Sequence, residues 1–148
     1  MTTALKKVFK RDLLKLKKEI QLYKDDTTLW QIENSIKNSG GNLCLHLIGN
    51  LKTFIGNGIT DIGYQRKRDF EFSGKFVDRN KLYREIDETI EIVDHALTQI
   101  TEEQLDGYFP MLIWEEKTEM VFTLIHLHGH LTYHLGQINY HRRILENG

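Results

Sequence analysis

Apolar residues at intervals of three and four run through most of this chain, and that period is what most restricts its fold. Leu5, Phe9, Leu13, Leu16, Ile20 and Tyr23 form one stripe. Leu82, Ile86, Ile90, Val93, Leu97 and Ile100 form another, with Asp78 placed to cap its helix. A shorter stripe of Leu43, Leu47, Leu51 and Phe54 follows Ser39 or Asn38 as cap and ends at Gly56, Asn57 and Gly58. A fourth helix is expected from about Lys117 or Thr118 to about Leu145. Pro110 is the single proline in 148 residues, and alternating runs that would make strands are nearly absent. The expectation is an all-α fold in one domain, residues 1–148, whose four striped helices read as a four-helix bundle.

The connections carry their own signals. Lys24 to Gly41 is turn-rich, with Trp30 and Ile32 expected as plugs at the edge of the core. Gly58 to Val77 shows no period, mixes Arg66, Lys67, Arg68, Asp69 and Glu71 with Tyr64, Phe70 and Phe72, and reads as a long ordered loop. Loops of that length are uncommon in compact domains and often serve as lids or interfaces. Thr101 to Gln104 reads as a capping box, and Leu105 to Trp114 as an extended apolar piece.

Charge excludes several partners. A formal net charge of -1 exerts no global pull on nucleic acid. Seven basic residues between Lys6 and Lys18 are interrupted by Asp12, and the one aromatic among them, Phe9, belongs to the apolar stripe, so they read as a solvated face and not a nucleic-acid surface. No run approaches the roughly 20 apolar residues of a membrane span, and the charged N-terminus lacks the apolar core of a signal peptide. Cys44 is the only cysteine, which suits a reducing cytoplasm.

The chemistry is concentrated between His126 and Arg143, which hold five of the seven histidines. At about 100° per residue, His126, His130, His134, Gln137 and His141 share one narrow arc and His128 falls opposite. Apolar residues flank the arc, so these imidazoles are expected to face the interior. Zinc and similar ions take imidazole nitrogens at about 2.0–2.1 Å, and three protein ligands leave a position for water or substrate. Turns are about 5.4 Å apart, so one ion can bridge His126 and His130 or His130 and His134, but hardly all three. His46 is the only histidine beside the apolar stripe of another helix and is the natural third ligand.

The segment NLCLHLIGN around His46, the stretch RKRDFEFSGK, and GHLTYHLGQINYHRR together resemble the DinB-like (DinB/YfiT-like) metal-binding superfamily, over roughly Leu29 to Leu145. The resemblance implies a bundle of up-down-down-up type with long connections. It implies that His46, His130 and His134 hold a divalent ion, zinc or nickel, and so favours His134 over His126. Asn50 becomes a candidate to orient His46, Gln137 a pocket donor, and His126 and His141 pocket neighbours. Many relatives carry arginine after the last ligand histidine; Leu135 stands there in this chain, so no substrate role for that arginine transfers. The resemblance also implies dimerisation through helix faces, with Phe70, Phe72 and Phe76 as part of the interface or as a lid over the pocket.

Neutral imidazole ligands leave an ion its full charge, which favours an anionic partner such as thiolate. No carboxylate sits within the histidine motif, and Cys44 lies about 160° around the helix from His46. The expected function is a metal-dependent transferase or hydrolase activating a low-molecular-weight thiol or water. Its rival is a non-catalytic protein in which the ion staples helices.

Overall fold

The first stripe folds as α1 (Thr2–Leu22), with Leu5, Phe9, Leu13, Leu16 and Ile20 buried along one side. In the computed structural model, which describes residues 1–148, the chain continues through α2 (Asp26–Leu29), α3 (Gly40–Leu51), α4 (Gly58–Thr60), α5 (Arg68–Ser73), α6 (Arg79–Gln99), α7 (Glu102–Leu105) and α8 (Met120–Glu146). The fold is all-α, and strand-like pairing is limited to two isolated bridges. The expected caps form: Ser39 accepts from the Asn42 backbone, Asp78 from that of Asn80, and Thr101 and Gln104 make a reciprocal capping box.

Four long helices close on one another. α1 lies against α6 and α8, and α3 lies against the same two. Their stripes meet in one continuous core that includes Phe9, Leu16, Leu47, Leu51, Leu82, Leu97 and Leu124, all fully buried. Each such side chain contributes about 1.5–3 kcal/mol by leaving water, against the entropy of ordering it.

Several expectations are corrected. α3 does not stop at Gly56 to Gly58; its backbone widens into a π-helical turn over Lys52–Asn57, continues through α4 and ends at Asp61, whose φ is +47°. The glycine at 56 serves packing, since a Cβ there would press on the side chains of Ile62 and Ile92. The expected loop from Gly58 to Val77 contains α4 and α5. A six-residue helix carries no readable period. α5 is pinned from outside instead, by Asn42, whose side-chain amide donates to the carbonyls of Glu71 (3.0 Å) and Gly74 (2.8 Å). Trp30 is buried over Gly41, where a Cβ would meet the indole at 2.6 Å, but Ile32 is 51% exposed and plugs nothing. The last helix starts at Met120, after the extended piece, in which Phe109 is buried and its N–H donates to the Thr118 carbonyl.

On the basic face of α1, Lys6 pairs with Asp94 and Lys17 with Asp87, both on α6. No helix is long and apolar enough to cross a membrane.

His128, on the far side of α8 from the other histidines, ties that helix to α1. Its Nε2 lies 2.8 Å from the buried Asp12 carboxylate, which also accepts from Arg11 at 2.8 and 3.0 Å. Asp12→Ala leaves the imidazole donor half-buried without its acceptor. The expected cost is about 1–3 kcal/mol, seen in urea unfolding as a lower midpoint at unchanged slope.

Candidate metal centre

α3 is buried along its whole length between the loop segment and α8, so a polar side chain on it must find a partner inside the protein. His46 does so across the interface. Its Nε2 stands 3.1 Å from Nε2 of His130, which in turn stands 3.1 Å from Nε2 of His134. The nearest ligand atoms of the three all lie within 4.8 Å of one another. Three rings from two helices therefore aim the same nitrogen at one point.

The outer nitrogens explain the aim. His46 Nδ1 lies 3.0 Å from Oε1 of Glu71, and His134 Nδ1 lies 2.6 Å from Oε1 of Gln137. A carboxylate and an amide oxygen only accept, so each of these rings keeps its proton on Nδ1 and presents a bare lone pair at Nε2. Neutral His130 has one proton and cannot satisfy two such lone pairs through a single Nε2–H. Its own Nδ1 is buried with no protein partner. A cation at the point of convergence resolves the conflict, because every ring then offers a lone pair. Donors at about 2.0–2.1 Å from an ion, at tetrahedral angles, stand about 3.3–3.4 Å apart, close to the 3.1 Å that His130 keeps to each of its two neighbours. The three histidines can hold a metal ion.

Electrostatics keep the rings ready. Burial, together with the neighbouring His134 and His46, pushes the His130 pKa down to about 4. Burial also lowers that of His134, despite the opposing effect of the hydrogen bond it donates to Gln137. His141 is lowered by burial as well, partly offset by its hydrogen bond to the Gln31 carbonyl. All three are depressed below the unfolded imidazole value of about 6.5, so they stabilise the fold while neutral, above that value. The contribution is lost as pH falls through the folded values. In chelator, the melting temperature is expected to hold above about pH 6.5 and to decline toward about pH 4, where His130 titrates. A melting temperature that rises on acidification across that window would contradict this charge arrangement.

The structure separates the other candidates. Asn50 is buried but does not orient His46: the outer nitrogen of that ring is taken by Glu71, and Asn50 Oδ1 has no partner. Gln137, read as a pocket donor, is an acceptor for His134 and lies toward solvent. His126 does not face the interior; it is exposed, its ring 4.6 Å from that of Trp114, so the extended segment and not α3 is its neighbour. His141 is buried one step further along α8, with Nδ1 2.6 Å from the Tyr23 hydroxyl and Nε2 2.8 Å from the Gln31 carbonyl. Both its nitrogens are used in packing, although its ring edges a cleft of about 400 Å³ that also touches Asn38, Leu43, Gln137, Tyr140 and Ile144. Cys44 is fully buried, its thiol pushed well above the ordinary range by burial. It is not among the converging residues.

Two residues of the site lie in the RKRDFEFSGK stretch but show no helical period and received no role from the sequence. Glu71 sits on α5 and is buried, and Arg66 grips its carboxylate through Nε at 2.9 Å and Nη2 at 3.0 Å. Burial alone would raise the Glu71 pKa, but the hydrogen bonds from His46 and Arg66 outweigh it and hold the acid below its usual range. Phe72, beside it, lays its ring 4.9 Å from that of His46. Phe70 and Phe76 point outward, 48% and 63% exposed, so of the three phenylalanines only Phe72 touches the site.

A family model described as "Protein of unknown function (DUF1572)" matches residues 2–148. No curated protein matches the sequence. Among solved structures, the chain is similar to one described as "Crystal structure of the conserved protein of locus from Enterococcus faecalis", at 14% identity and a TM-score of 0.78, covering 100% of this chain and 98% of that one. At that identity the likeness speaks for the fold.

Proposed function

Since the chain belongs to the DUF1572 family, whose description assigns no reaction, the site itself must carry the functional reading, and we propose that it is an open divalent-metal centre serving a metal-dependent enzyme. In this reading the four packed helices are a DinB-like four-helix bundle, and His46, His130 and His134 are the ligands of a zinc or nickel ion. The observation that carries it is the convergence of three Nε2 atoms, that of His130 standing 3.1 Å from each of the other two and all three within 4.8 Å, with two outer nitrogens engaged by acceptors.

A divalent ion held by three neutral nitrogens supplies Lewis acidity and lowers the pKa of a bound water or thiol. What the chain adds is positioning and little proton chemistry. Glu71 has both carboxylate oxygens occupied, and Glu115, Glu116 and Glu119 are exposed. No free general base faces the centre. That weighs toward a thiol substrate, with a pKa near 8.5, over water at about 15.7, because the thiol needs far less help to ionise. Gln137, which accepts from His134 Nδ1, also edges a cleft of about 400 Å³, although none of the three histidines lines that cleft.

The test begins with metal content of protein purified without a histidine tag. Cobalt is then exchanged in, and the visible spectrum is followed while a small thiol is added. One ion per chain and a thiolate-to-metal absorption band are expected. Protein that holds no stoichiometric ion, in zinc- or nickel-supplemented medium, ends the proposal.

A further inference from the structure

The segment from Arg66 to Gly74, which reads as loop in the sequence, is built around one carboxylate. Glu71 Oε1 takes hydrogen bonds from His46 Nδ1 (3.0 Å) and from Arg66 Nη2 (3.0 Å), and Oε2 takes one from Arg66 Nε (2.9 Å). Asn42, one turn before His46 on α3, holds the Glu71 carbonyl itself. Gly49, nearly one turn after His46, leaves bare backbone where the carboxylate rests: a Cβ at that position would overlap Oε2. Side chains of Glu71 and His46 are 6% and 9% exposed. Stability alone is a weak reason to set the Arg66–Glu71 ion pair there, because a buried ion pair commonly costs in desolvation about what it returns. Arg66 and Glu71 would be replaceable by apolar residues if packing were their task.

We propose that Glu71, locked in place by Arg66, is the positioning carboxylate of the centre: it holds His46 in the Nδ1–H form with its Nε2 lone pair on the shared point. This rests on the metal reading only for its consequence, which is tighter ion binding and a partly neutralised centre. Arg66 has a second effect. By occupying both oxygens it keeps Glu71 from turning inward to become a fourth ligand, and so leaves the open position open. Outer partners of this type are worth about 10–100-fold in metal affinity.

Two measurements decide it on wild type, Glu71→Gln, and the double variant Arg66→Met with Glu71→Leu, which keeps the buried volume apolar, with Gly49→Ala added for zinc affinity. Circular dichroism first establishes that each is folded. The ring nitrogens of His46 are then read by NMR in metal-free protein at about pH 8, above the ordinary imidazole pKa of about 6.5. The wild type is expected in the Nδ1–H form and the double variant in a mixture with Nε2–H. Zinc affinity is measured by competition with a chromophoric chelator; both variants should bind about 10–100-fold more weakly. Gly49→Ala, which alters no charge or ligand, should weaken zinc in the same direction by displacing the carboxylate. Wild-type His46 in the Nε2–H form, or variants that bind zinc as tightly as wild type, would overturn the proposal. A wild type that takes up no zinc overturns the metal reading instead, and the tautomer result still judges Glu71.

Discussion

Replacing His46, His130 or His134 with alanine is expected to abolish metal binding at the proposed centre, whereas His126→Ala should retain it. Structural zinc sites with four ligands bind with about 10–16 kcal/mol at neutral pH, so each ligand is worth roughly 3 kcal/mol or about 100-fold. An open site has only three protein ligands and less reserve. Two of them sit one turn apart on α8, but without His46 they have no third nitrogen from α3, and without His134 the Nε2 of His130 faces His46 alone. The control works because His126 lies on the same arc of α8 yet packs edge-on against Trp114 at the surface. Metal per chain after dialysis against a weak chelator is the measurement. Equal retention by wild type and the His46 variant would remove the centre from consideration.

Phe9→Ala is expected to be the most damaging single core substitution in α1. Phe9 is fully buried, and its ring stands 5.2 Å from that of His128 in an edge-on contact. It thus sits where α1 meets α8, beside the Asp12 tie. Truncating a buried phenylalanine costs about 3–5 kcal/mol, because the cavity closes only partly. For a chain of this size that lowers the melting temperature by roughly 6–20 °C. Leu14→Ala, on the same helix but 47% exposed, should change it little. Comparable shifts for the two would mean that α1 does not pack by the stripe seen in the structure.

How much of this could be read from residues alone depends on whether the signal was local. α1, α6 and the first turns of α3 were legible because their apolar period and caps are properties of a single segment. The pairing of His130 and His134 was legible for the same reason, as i and i+4 on one helix. His126 shows the limit: a helical wheel fixes azimuth but not which neighbour lies alongside at each height, and there the neighbour is Trp114. Glu71 shows it more sharply. It lies 25 residues from His46 in a segment with no period, and only the docking of α5 on Asn42 brings the two together. Asn50, which has the right spacing to support His46, is left with an unpaired oxygen. Spacing on one helix named the wrong partner because the right one belongs to another element.

The separation of the ligands along the chain has a consequence for the protein as a polymer. His46 and His130 are 84 residues apart, so an ion gripping both closes a long loop, as a covalent crosslink would. The worth of a crosslink grows with the logarithm of the loop it closes, on the order of 4–5 kcal/mol for one of this length. His130 and His134 can meet an ion as soon as α8 forms a turn, while His46 arrives only when the two halves of the chain have come together. Loading is then coupled to completion of the fold, and the atom that would serve reactivity at its open face would, on its other faces, keep α3 and α8 from parting.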